Sequence, residues 1–219
     1  MMSLPDYSHP RLQYDVEDPE RLSRLLLFLK PFMAIPHVIV LFFLYIAVFV
    51  VTTIAWFAIL ITGRYPRGMW EFTMGVMRWS ANVTAYATTF QRDEYPPFSG
   101  TGDYPFTFDM EYPDTLSRLM IFIKWLLAIP HFIVLYFLGI AANIVVFVSW
   151  IVVLITGHYP ESLFKFIVGV YRWSYRVSVY TMLLTDDYPP FSFDEPNAGP
   201  AGPAIGAAPT PPPIGESQF

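Results

Sequence analysis

Two runs of residues, 38 through 62 and 132 through 156, contain no Asp, Glu, Lys or Arg, and each is 25 residues long. As helices they would extend about 37 Å at 1.5 Å per residue, more than the roughly 30 Å hydrocarbon core of a bilayer. A globular helix that is apolar on every face over such a length is rare. The runs therefore predict tilted transmembrane helices rather than buried helices of a soluble core. Composition agrees, since 54% of the 219 residues are apolar and only 14% charged, outside the usual soluble mixture. Residues 1 to 20 carry Asp6, Asp15, Glu17, Asp18 and Glu20 and no apolar run. No cleavable signal peptide is expected there, and the first spanning segment is read as its own insertion signal.

Several function classes are excluded at this level. There is no cysteine, hence no disulfide, thiolate nucleophile or thiolate metal site. The formal charge of −5, without a Lys/Arg run, gives no support for nucleic-acid binding. Motifs for a P-loop, a dinucleotide fold, a zincin or a G-x-S-x-G hydrolase are missing.

The chain repeats itself. An offset of 94 residues brings Ser23-Arg24 onto Ser117-Arg118, Ile35-Pro36-His37 onto Ile129-Pro130-His131, and Thr62-Gly63-Arg64-Tyr65-Pro66 onto Thr156-Gly157-His158-Tyr159-Pro160. It also aligns Arg78-Trp79-Ser80 with Arg172-Trp173-Ser174, after which one residue is lost and Tyr95-Pro96-Pro97-Phe98 meets Tyr188-Pro189-Pro190-Phe191 at 93. So many matches in one register signal duplication. The expected organisation is an N-terminal extension (1–10), copy one (11–99), a linker (100–104), copy two (105–192) and a disordered Pro/Ala/Gly-rich tail (193–219).

Each copy predicts an all-α membrane unit with one short extended segment, Leu12 to Val16 or Phe106 to Met110, whose alternation is strand-like. A short surface helix follows and is expected to kink or end at Pro36 or Pro130. The long apolar helix then stops at Gly63 or Gly157, and Tyr-Pro turns the chain. Beyond the turn, Arg67 to Phe90 and Glu161 to Leu184 carry a narrow polar stripe at helical spacing: Glu71, Gly75, Arg78 and Asn82 in copy one, Lys165, Gly169, Arg172 and Arg176 in copy two. Such a helix either recrosses the bilayer with its stripe inside a bundle or lies in the interface with the stripe toward headgroups. Because both copies share the same loops, those loops are expected on one side of the membrane, which favours two crossings per copy. On that arrangement Arg11, Arg21, Arg24, Lys30, Arg92, Arg118 and Lys124 share one face against Arg64 and Arg67, and Lys/Arg bias places the termini in the cytoplasm of an inner-membrane, multi-pass protein.

Few residues suggest chemistry. His37 and His131 lack a third ligand at matching spacing and are read as amphipathic anchors at the headgroup level rather than a metal site. Asp93-Glu94 and Asp186-Asp187 are read as solvated charge rather than acid/base or cation-binding pairs. Arg78-Trp79 and Arg172-Trp173, with Arg176, are the expected lipid or partner contacts, because guanidinium forks hold phosphate and indole prefers the interface. The competing reading is a structural Arg that pairs within the fold. No metal or other cofactor is expected.

The ordered set Phe108-Asp109-Met110-Glu111-Tyr112-Pro113, Leu116-Ser117-Arg118-Leu119, Ala128-Ile129-Pro130-His131, Thr156-Gly157-His158-Tyr159-Pro160, Arg172-Trp173-Ser174 and Tyr188-Pro189-Pro190-Phe191 resembles a bacterial membrane family catalogued as domain of unknown function 4389. The resemblance covers both copies and implies a multi-pass membrane protein without an assigned activity. Copy one departs from it with Asp18 in place of Tyr112 and Pro31 in place of Trp125.

Together these features predict a non-enzymatic membrane scaffold or accessory subunit that contacts lipid headgroups, a second copy of itself or a larger membrane complex. The alternative is a small transporter or channel component with an Arg-lined polar path.

Overall fold

In a computed structural model of the chain, residues 12–19, 21–99 and 106–194 are described. The N-terminal extension, Arg11, the linker and the tail beyond residue 194 lie outside them. The described residues are mostly helical and fall into two copies of one pattern: β1 (Gln13–Val16), α1 (Leu26–Met33), α2 (Ile35–Thr62) and α3 (Arg67–Val83), then β2 (Phe106–Asp109), α4 (Met120–Thr156) and α5 (Glu161–Thr181).

In copy one the helix breaks at Ala34, which leaves Pro36 in the first turn of α2, where a missing N–H costs nothing. In copy two α4 runs unbroken through Pro130, so the separate surface helix expected there does not exist. Leu26–Thr62 and Met120–Thr156 each make 37 residues of nearly continuous apolar helix, about 55 Å long. Both are long and apolar enough to cross a membrane, and only 17% of the most apolar stretch of each is buried. The helix of a soluble core would be mostly covered. A narrow seam of α2, His37, Leu41, Val48, Ala55 and Ile59, packs inward at helical spacing. The face away from this seam is exposed Phe, Ile and Val.

Both long helices end as their glycines predict. Gly63 (φ 73°) and Gly157 (φ 79°) are left-handed, and each N–H reaches back to a carbonyl four residues earlier, Ile59 or Val153, at 2.7 Å. The helices that follow are amphipathic and shorter than the 24-residue segments the sequence suggested. Among the described residues, neither α3 nor α5 is long and apolar enough to cross a membrane.

The lost residue of the repeat has a structural counterpart. Copy one continues from α3 into a π-helical turn, Thr84–Thr88, with the Thr89 N–H bonded to the Thr84 carbonyl at 2.9 Å. Tyr86 and Tyr180 align at an offset of 94, whereas Phe90 and Leu183, both at positive φ, align at 93. One inserted residue is accommodated by widening a single turn.

The copies are joined by exchange of their strands. β1 and β2 form an antiparallel ribbon in which Tyr14 pairs with Phe108, its own counterpart in the repeat, so an approximate two-fold axis passes through that pair. Tyr14, Val16, Phe106 and Phe108 face inward, while Gln13, Asp15, Thr107 and Asp109 face out. The same axis governs the helices. The Leu22 N–H donates to the Gly157 carbonyl at 2.9 Å and the Leu116 N–H to that of Gly63 at 2.8 Å. Phe28 packs on Trp150 and Phe122 on Trp56, with centroids 5.3 and 5.1 Å apart. The start of each long helix therefore lies beside the end of the other. The two long helices run antiparallel, so the corresponding loops at Gly63 and Gly157 lie at opposite ends of the helix pair. The core that results draws buried residues from both copies.

Candidate functional site

Each copy builds two polar joints on its long apolar helix, one with the segment after its amphipathic helix and one with the amphipathic helix itself. In the first joint, Lys30 is fully buried and pairs with Asp93 at 2.8 Å, and Lys124 pairs with Asp186 at 2.7 Å. The second oxygen of each carboxylate accepts from the backbone N–H of Ser23 or Ser117, both at 2.5 Å. The ammonium groups sit 5.5 and 5.2 Å from the rings of Tyr86 and Tyr180, and Lys124 also donates to the Thr185 carbonyl at 2.7 Å. A buried charge is retained only when paired and hydrogen-bonded. Asp93 and Asp186 are therefore clamps across the fold rather than solvated ends of a helix, which corrects the reading of the two acidic pairs at these members.

The second joint joins histidine to tryptophan. Trp79 Nε1 donates to His37 Nδ1, and Trp173 Nε1 to His131 Nδ1, both at 3.0 Å. Nδ1 is an acceptor here, so each neutral ring carries its proton on Nε2. Phe98 and Phe191 stack on the imidazoles at 3.9 Å. His37 and His131 are fully buried and Trp79 and Trp173 nearly so, so neither pair anchors at the headgroup level. Among the described residues no cluster of three or more His, Asp or Glu could hold a metal ion.

The arginines beside these tryptophans turn the other way and reach across the two-fold axis. Arg78 Nε donates to the Phe108 carbonyl at 2.7 Å and its Nη2 to Asp109 at 3.1 Å. Arg172 does the same to Tyr14 and Asp15, at 2.8 and 3.2 Å. The expected Arg-Trp unit is thus divided, with the guanidinium on the ribbon and the indole in the core. Burial, and then the neighbouring Tyr175 phenol, push the Tyr14 hydroxyl well above its ordinary pKa.

The remaining stripe residues do not form one line. Asn82 and Arg176 are buried, and Arg176 donates to the carbonyls of Ser192 and Asp194 at 3.3 and 2.5 Å. This places Phe193 and Asp194, assigned to the tail by sequence, against α5. Glu71 and Lys165 are exposed and pair along their own helices with Arg67 and Glu161. An open cavity of about 690 Å³ lies over α5, between Asp15, Asp18, Glu161, Lys165, Arg172 and Phe193. Burial, and then the Glu161 charge, raise the Asp18 pKa.

The sequence reading did not single out Lys30 and Lys124. The signal was present, because each is a cation kept in both copies inside an otherwise apolar stretch, at the same offset that relates the histidines.

The geometry can be set beside known proteins. The family model described as Domain of unknown function (DUF4389) matches residues 24–100 and again residues 118–192. The chain belongs to this family. The two matches contain every helix of the described residues and the Lys-Asp and Trp-His pairs, whereas the strands β1 and β2 lie before each match. No curated protein and no solved structure matches the chain.

Proposed function

We propose that this tandem DUF4389 protein is a membrane-embedded, non-enzymatic scaffold or accessory subunit. Its apolar helices α1–α2 and α4 sit in lipid, and its polar elements α3, α5 and the ribbon are offered to headgroups or to a larger complex. The observation that carries the reading is the exposure of the two 37-residue apolar helices, whose outward faces the described residues leave uncovered. Apolar surface of that extent in water marks a membrane or partner surface. The polar groups that might have marked a catalytic centre are engaged in joints that hold elements together. Arg78 and Arg172 clasp the ribbon instead of lining a shared path, so the transport alternative has no observation of its own.

The test is retention in membranes washed with alkaline carbonate. The protein is expected to stay in the membrane pellet, and release into the supernatant overturns the reading. In proteoliposomes, a solute flux that Arg78→Gln and Arg172→Gln abolish without loss of insertion overturns the scaffold in favour of transport.

A further inference from the structure

We infer that both apolar helices lie within a single leaflet, so that the protein embeds in one face of the membrane without crossing it. The inference rests on the membrane reading above and adds the mode of embedding.

The first argument is symmetry. The two-fold axis passes through the Tyr14–Phe108 pair and sets the start of each long helix beside the end of the other. For an antiparallel ribbon, an axis through such a pair stands perpendicular to the ribbon's face, since both side chains point the same way. If α2 and α4 crossed the bilayer, this axis would lie in the membrane plane, and equal apolar belts on the two copies would set it at mid-depth. The outer face of the ribbon would then meet hydrocarbon. That face carries Asp15 and Asp109, 58% and 71% exposed at the side chain, with the exposed pairs of α3 and α5 alongside. Charged groups at that depth are strongly disfavoured unless a bundle or a water-filled cavity shelters them. With the helices in plane, the same axis runs along the membrane normal and the ribbon faces water.

The second argument is the sorting of exposed side chains by element. α1, α2 and α4 expose Phe32, Phe49, Ile61, Trp125, Phe137 and Ile155, all above 60%. The groups exposed on α3 and α5 include Arg67, Glu71, Glu161 and Lys165. One protein molecule therefore meets both media without a partner to hide its charges. A third argument is length. A helix of about 55 Å exceeds the hydrocarbon thickness by about 25 Å, a mismatch that crossing must absorb by steep tilt and that an in-plane helix never meets. A helix about 10 Å across fits within one leaflet of about 15 Å.

The absence of native cysteine makes the test direct. Full-length single-cysteine variants Arg64→Cys, Thr107→Cys and His158→Cys, all at exposed positions, are labelled with a membrane-impermeant maleimide in sealed vesicles of each orientation. The expected result is that all three label from the same side, at least tenfold faster than from the other. Labelling of 64 and 158 from opposite sides establishes an inverted crossing and overturns the inference. Labelling of 64 and 158 together, opposite 107, establishes paired crossings and also overturns it. Both outcomes leave the membrane reading intact, whereas release by carbonate removes that reading itself. Nitroxides at Phe32, Ile46 and Phe57 give a second readout, because an in-plane helix places all three at one depth and a crossing helix sets Ile46 deepest.

Discussion

The two copies agree in their Lys-Asp and Trp-His joints and differ along the polar-stripe face of α3 and α5. Their buried joints are superimposable in chemistry, with Lys-Asp distances of 2.8 and 2.7 Å and Trp-His distances of 3.0 Å in both. On the outer helix face the order of an i,i+4 ion pair is reversed, Arg67–Glu71 in copy one against Glu161–Lys165 in copy two. Glu161 at a helix N-terminus agrees with the helix dipole, and Arg67 does not. Gly75 is open to its surroundings, while its counterpart Gly169 is covered by Phe193. Asn82 is replaced by Arg176, which holds the segment after copy two against α5. The two copies share the joints, and their differences gather on the face of α3 and α5 that bears the polar stripe.

The largest effects should come from the shared joints. Replacing Lys30 or Lys124 with Met leaves a partly buried carboxylate without its cation, and each is expected to cost about 3–5 kcal/mol, measured by reversible unfolding in micelles. Lys124→Met should cost more, since it also strands the Thr185 carbonyl. A smaller loss in copy two would break the equivalence. Next come Trp79→Phe and Trp173→Phe, which keep an aromatic ring and remove the donor to a buried imidazole. Each should cost about 1–3 kcal/mol, and the two should agree closely. Unequal losses would show that one joint is held by something other than this bond.

What the sequence made legible follows from where the information lies. The duplication, the long helices and their glycine stops are local or periodic, and each appears in the structure as helix, left-handed cap and repeated pattern. The strand segments were visible from alternation at Tyr14 and Phe108, but their partners were not, because a ribbon that pairs residues 94 apart in the chain is a tertiary fact. For the same reason Arg78 and Arg172 could be seen as paired sites without showing that each clasps the other copy's strand. Histidine and tryptophan misled. Their amphipathic chemistry suits a headgroup zone equally well, and only the 3.0 Å bond between them turns both inward. The orientation of the copies was inferred from shared loop sequences, and two-fold symmetry satisfies that sharing while placing the loops at opposite ends.

The outer-face difference sharpens at the glycines. A methyl group at Gly75 meets nothing within 4 Å, whereas at Gly169 it would fall 2.8 Å from Phe193 Cβ. Gly75→Ala is expected to raise stability by up to about 1 kcal/mol, the usual gain in a helix interior. Gly169→Ala should lower the melting temperature instead, because it pushes away the segment that Arg172 and Arg176 hold. The same sign at both positions would break the contrast.

The smallest effect is expected where copy one carries its extra residue. Thr88 is exposed, at the end of the π turn, and its deletion lets the turn close to the α geometry that copy two already uses. The core on either side, Tyr86 and Phe90, has counterparts in Tyr180 and Leu183 that pack without the insertion. What the widened turn adds is the Thr89 carbonyl, which accepts from the Tyr159 hydroxyl of copy two at 3.3 Å. Deletion of Thr88 should therefore cost about 1 kcal/mol, the net value of one such hydrogen bond. Tyr159→Phe should cost about the same, and the two changes together should cost little more than either alone, a coupling that a double-mutant cycle reads directly. Additive losses would mean that the π turn supports copy one itself, and the insertion would then be a repair within one half rather than a contact between the two.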